Sequence, residues 1–130
     1  MYQQITRDVA VSAFPVFQEE DSNPSRSHFV WAYTIEIDNR GRTPVQLIRR
    51  HWRITDANGV SHDVRGDGVV GEQPAIAPGE MFRYTSVCPL STPSGWMQGE
   101  YEMIDADTGA PLTIAIPPFA LDSPYATKPN

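Results

Sequence analysis

The stretch His28-Phe29-Val30-Trp31-Ala32-Tyr33-Thr34-Ile35-Glu36-Ile37-Asp38 decides the fold. Phe29, Trp31, Tyr33, Ile35 and Ile37 recur at every second position, and Ala32, Thr34 and Glu36 fill positions between them. Side chains of an extended backbone point alternately to opposite faces. This spacing therefore lays one aromatic and branched face against a core and turns the other away. A helix would scatter the same five residues around its circumference. The segment predicts a β-strand, and Asn39-Arg40-Gly41-Arg42 after it reads as a tight turn.

The pattern continues upstream and downstream. Val9, Val11 and Ala13 alternate, then Phe14, Val16 and Phe17 follow, with Pro15 marking an edge or a bulge. Residues 19–27 are polar and contain Asp21-Ser22-Asn23-Pro24, a loop. Over residues 45–55, Ile48, Trp52 and Ile54 face one way and Arg49, His51 and Arg53 the other. Arg50 falls among the apolar side chains, and a bulge is expected to reorient it. Asp56-Ala57-Asn58-Gly59 predicts a hairpin into a short strand over residues 60–65. A glycine-rich loop, Gly66-Asp67-Gly68-Val69-Val70-Gly71, comes next. Further strands are expected over residues 80–88 (Phe82, Tyr84, Cys88) and 96–105 (Gly99, Tyr101, Met103). Leu112, Ile114 and Ile116 alternate in a last strand, which Pro117-Pro118 is expected to stop.

Twelve prolines and nine glycines leave little room for helices of ordinary length. Seven or eight short strands predict an all-β fold, a two-sheet β-sandwich of the immunoglobulin or fibronectin type III-like kind. Residues 1–122 form one domain, and the polar tail over 123–130 is expected to fray. The expected core holds Trp31, Ile35, Ile37, Trp52, Ile54, Tyr101, Met103 and Ile114. Tyr101, soon after Gly99, predicts a tyrosine corner, its hydroxyl donating to a backbone carbonyl within residues 91–99.

The 130-residue chain carries a formal net charge of −6, which disfavours nucleic acid and anionic membrane as partners. Its single cysteine, Cys88, cannot close an internal disulfide. No apolar run reaches the ~20 residues of a membrane span, and the first residues lack the regions of a signal peptide. A cytoplasmic location is expected, as a monomer or weak homodimer. Six of ten basic residues fall between Arg40 and Arg65, which predicts a basic patch at Arg49, His51 and Arg53. Arginine forks there suit phosphate or carboxylate.

Gly66, Gly68 and Gly71 match a dinucleotide-binding string, but Glu72-Gln73-Pro74 follows where that motif needs a helix. The remaining alternatives are a structural loop with positive φ angles and an anion-binding nest of amides beside Arg65. Asp67 and Glu72 flank those amides and would repel a phosphate, so the structural account leads. His28, His51 and His62 lack the spacing of a metal site, and no nucleophile–base signature occurs. No metal ligand, catalytic residue or cofactor is assigned.

The series Gly68-Val69-Val70-Gly71-Glu72-Gln73-Pro74, Pro78-Gly79-Glu80, Tyr84-Thr85-Ser86, Pro89-Leu90-Ser91-Thr92-Pro93-Ser94-Gly95 and Met97-x-Gly99-x-Tyr101 resembles the ApaG family. Tyr33-Thr34-Ile35-x-Ile37-x-Asn39 and Ile116-Pro117-Pro118-Phe119-Ala120-Leu121 extend the resemblance over nearly the whole chain. The resemblance implies a fibronectin type III-like sandwich with no established enzymatic activity. It implies a genetic link to cobalt and magnesium tolerance, and a gene often beside a diadenosine tetraphosphate hydrolase. Related domains occur in F-box and DNA-polymerase-interacting proteins. The leading expectation is a non-enzymatic protein-interaction module with a partner of unknown identity. The alternatives are a binder of phosphorylated or polyphosphate small molecules at residues 66–71 and a binder of divalent metal.

Overall fold

In the computed structural model, which describes residues 2–126, the described residues form nine strands. They are β1 (Tyr2–Thr6), β2 (Val9–Phe17), β3 (Phe29–Asn39), β4 (Val45–Asp56), β5 (Ser61–Asp67), β6 (Ala75–Ile76), β7 (Met81–Leu90), β8 (Gly95–Asp105) and β9 (Pro111–Leu121). Antiparallel pairing gives one sheet of order β1-β2-β3-β7 and another of order β5-β4-β8-β9, with β6 beside the start of β4. This is the expected immunoglobulin-like two-sheet sandwich. No helix among the described residues is long and apolar enough to cross a membrane.

Two strands go beyond the expected seven or eight. β1 is joined to β2 through Arg7 and Asp8, both at positive φ, 48° and 64°. That is the backbone of a two-residue hairpin turn whose twist suits paired strands. Neither residue is the glycine or asparagine that announces such a turn. β6 has two residues, too few for a periodic signal.

All eight expected core residues are buried. Trp52 packs edge-on to Tyr33, Tyr101 and Phe119. The indole N–H of Trp31 donates to the Asp122 carbonyl at 2.8 Å. Ser123 donates to the Pro93 carbonyl at 2.6 Å, and the Tyr125 ring lies against Phe17 and Phe29. Residues 127–130 of the expected tail lie outside the described residues.

Three local expectations are corrected. The β4 bulge occurs where the register with β8 slips between Leu47 and Arg49. Val45 and Leu47 are buried before it, and Trp52 and Ile54 after it. The extra residue thus moves Ile48 off the inner face and leaves Arg50 on it. Pro117-Pro118 does not stop β9, which runs on to Leu121. Met97 pairs with Phe119 and Gly99 with Ile116, so the two prolines oppose Gln98 alone, in a bulge on an edge strand. A missing N–H costs least there. Tyr101 makes no tyrosine corner. Its hydroxyl lies 2.5 Å from that of Tyr84 on β7, because β8 aims the ring across the core rather than back along the chain. Burial holds both phenols well above the ordinary tyrosine value.

The sandwich is asymmetric. β1 and β2 pack against β9 and close one side. On the other side the edges β7 and β5 stand apart, with a cleft between them.

The tyrosine pair can be tested by mutation. Tyr84→Phe or Tyr101→Phe alone leaves a buried hydroxyl without its partner and should cost about 1–3 kcal/mol. The double replacement should cost clearly less than the sum, since no orphan remains. Urea denaturation of the four proteins checks this; additive losses would contradict a mutual hydrogen bond.

Candidate functional site

The outer face of the second sheet carries the expected basic residues. Arg49, His51 and Arg53 face outward together, because alternate positions of β4 share a face. The neighbouring strands set carboxylates beside them. Arg49 donates to Glu102 at 3.2 Å and lies 3.9 Å from Asp67. His51 stands between Asp63, at 3.1 Å, and Glu100, at 3.8 Å. Arg53 donates to Asp63 at 3.3 Å. Arg65 pairs across from His51 and belongs to this same face. Positive charge that is clustered in the sequence is thus interleaved with negative charge in the fold. Hydrogen bonds from His51 and Arg53 hold the Asp63 carboxyl below its ordinary value.

The glycine-rich loop is a second hairpin. Val69 and Glu72 exchange N–H···O bonds at 2.8 and 2.9 Å around Val70 and Gly71, whose φ angles are 44° and 80°. Gly68 donates to the Ile48 carbonyl at 2.8 Å. Its own φ is +60°, and a Cβ there would sit 2.1 Å from the Glu72 carbonyl oxygen, so only glycine fits. The amides of Gly68, Val69 and Glu72 are therefore spent on backbone carbonyls. Val69 is buried, whereas Val70 is 55% exposed at the tip. A β-branched residue at positive φ is strained, and here the strained residue projects into solvent.

The cation that serves this loop is Arg50, not Arg65. From the inner face of β4, Arg50 donates through Nη1 to the carbonyls of Asp67 and Gly68, at 3.0 and 2.8 Å. A Cβ on Gly66 would lie 2.7–2.9 Å from the guanidinium, so that glycine makes room for it. Among the described residues no carboxylate lies within 4.0 Å of Arg50, and Nε and Nη2 donate to no protein acceptor.

Two cavities of about 290 Å³ each meet at Tyr33, Arg50, Trp52 and Ser86. One runs toward Val69, Val70 and Gly71; the other is apolar, lined by Ile54, Val64, Val87, Pro89 and Met97 among others. Cys88 is part of the latter, and burial pushes its thiol up to about 11. His62 opens on the same cleft, while His28 and His51 lie elsewhere. No group of three or more His, Cys, Asp or Glu among the described residues could hold a metal ion. Sequence reasoning missed Arg50 as a site residue. Its signal was a charge in register with Trp52 and Ile54.

This geometry makes both the ion pairs and the loop tip testable. The folded-state pKa of Asp63 is depressed, so its stabilising contribution is complete above the unfolded-state value and is lost as pH falls through the folded one. Asp63→Asn should lower the melting temperature at neutral pH, and the gap should close in acid below the carboxylate range. A gap independent of pH would contradict the ion pairing. Val70→Gly should raise stability by roughly 1 kcal/mol by removing left-handed strain. A loss of stability in chemical denaturation would show that the Val70 side chain packs in the free protein.

Relatives carry the same architecture. The ApaG domain family model matches residues 19–105. Protein ApaG of Paramagnetospirillum magneticum is 54% identical over 125 residues, covering 96% of this chain and 95% of that protein. Protein ApaG of Beijerinckia indica is 52% identical over 128 residues, covering 98% of each. The crystal structure of the putative ApaA protein of Bordetella pertussis aligns with a TM-score of 0.87 at 47% identity, covering 92% of this chain and 96% of that one. With a family match over most of its length and half-identical relatives from end to end, the chain belongs to the ApaG family.

Proposed function

We propose that this domain is a non-enzymatic binding module that takes an extended segment of a protein partner along the cleft between β5 and β7. The observation that carries the reading is the open side of the sandwich, where two strand edges flank one cleft. A free edge offers unpaired N–H and C=O groups that an extended chain can complete, and flanking pockets select its side chains. Val64 and Val70, exposed at 38% and 55%, lie along this one cleft. A single exposed valine is ordinary; two along one groove support reading it as a contact surface. On this reading the module works in the cytoplasm and affects cobalt and magnesium tolerance through its partner.

A second reading, a phosphate-bearing small molecule in the same cleft, is favoured by the uncommitted N–H groups of Arg50. Arg49 and Arg53 on the outer face add little to it, since carboxylates already pair with them.

Panning a random-peptide library on the immobilised domain tests the proposal. Enriched peptides should compete with one another at micromolar affinity and weaken at least about tenfold on Val64→Glu or Val70→Glu, changes at exposed positions. No enrichment, or peptides indifferent to both variants, would contradict it.

A further inference from the structure

We infer that Arg50 reads a carboxylate on the incoming segment, and that the apolar lobe beside it takes a neighbouring aliphatic side chain. The inference rests on the peptide-binding reading and names the chemistry of the partner: an extended segment pairing an apolar residue with Asp, Glu or a chain-terminal carboxylate.

Four observations carry it. First, Arg50 is a half-buried cation with no carboxylate partner among the described residues, while the outer-face Arg49 and Arg53 have theirs. A guanidinium in so enclosed a place gains most from an anion brought to it. Second, the two Nη1 bonds to the Asp67 and Gly68 carbonyls fix the plane of the guanidinium. Nε and Nη2 are left as a parallel pair of donors, the fork that donates to both oxygens of a carboxylate. No buried side-chain nitrogen or oxygen among the described residues lacks a partner, so Nε and Nη2, which have none, are not fully buried. Third, Arg50 sits where the two cavities join, with Ser86 and Tyr33 at the same junction. A bound carboxylate there would have the apolar lobe of Ile54, Val64 and Met97 on one side and the Val70 tip on the other. Fourth, Val70 holds an exposed apolar side chain at a strained φ of 44° on the rim of that junction. Strain kept at an exposed position is explained by a contact made on binding.

The charge of the surroundings agrees with this assignment. Asp67 contributes its carbonyl to Arg50, and its carboxylate turns to the outer face near Arg49. Within the cleft the cation is therefore not neutralised by the strand that holds it. The geometry favours a carboxylate over a polyphosphate because one fork is present and the other arginines of β4 point to the opposite face.

The test uses peptides selected on the full-length domain, each with its Asp or Glu changed to Asn or Gln, or its C-terminus amidated. Binding is measured by calorimetry to the wild type and to Arg50→Lys, which keeps the charge and removes the fork. The selected set should be rich in acid. Neutralising the peptide and Arg50→Lys should each weaken binding by about tenfold or more. Combining them should cost little beyond either alone. If Arg50→Lys does not fold, the Nε–H resonance of Arg50 in the wild type replaces it; it should shift with the acidic peptide and not with its amide twin. Selected peptides without acid, or an unchanged Kd on neutralisation, would overturn the inference while leaving the peptide-binding reading intact. Failure to select any peptide would fell that reading itself. Pyrophosphate binding that Arg50→Lys abolishes, with no peptide selected, would overturn the inference in favour of a phosphate ligand.

Discussion

A guanidinium on the inner face of a sandwich strand cannot be sealed into an apolar core, because an unpaired buried charge is too costly. Arg50 occupies such a position, two residues from the buried Trp52 on the same face of β4. The shape of this side of the molecule accommodates it. Gly66 leaves space for the guanidinium, the Asp67 and Gly68 carbonyls take its Nη1 protons, and the loop beyond turns back as a hairpin. On the far side, where no such cation intervenes, β1 and β2 close on β9.

The outer face of the same sheet answers its charges differently. Arg49, His51 and Arg53 stand in rows with Asp63, Asp67, Glu100 and Glu102 from adjacent strands. Exposed pairs of this kind contribute roughly 0–1 kcal/mol each and are screened by salt, so they are weak as stability. Their effect is on character. They turn a run of basic residues into a mixed surface, and they leave Arg50 as the β4 arginine without a carboxylate partner among the described residues.

Much of the fold was legible in the sequence because alternation survives wherever one sheet face is buried. β3 and the buried positions of β8 and β9 could be read directly, down to Trp31, Ile35, Met103 and Ile114. What escaped was set by partners distant in the chain. Tyr101 finds a hydroxyl on β7 rather than a nearby carbonyl, and Pro117-Pro118 sits in a bulge created by pairing with β8. The candidate site was half visible. The glycines were noticed, but which arginine they serve depends on a bulge one residue before Arg49, and a single-residue slip exchanges the two faces of a strand. The carboxylates that pair with the basic residues lie on β5 and β8, and no reading along β4 alone could place them.

ApaG membership fixes the architecture and leaves the ligand to the site. The cleft between β5 and β7 is then the working surface of the proposed module, and Arg50 its anchor. A crystal structure of the domain with an acidic peptide bound tests this most directly. The peptide should lie extended between β5 and β7, with a carboxylate within hydrogen-bond distance of Arg50 Nε and Nη2 and an aliphatic side chain against Val64 and Met97. A peptide seated on the outer face among Arg49, His51 and Arg53, with the Arg50 fork still facing solvent, would contradict it.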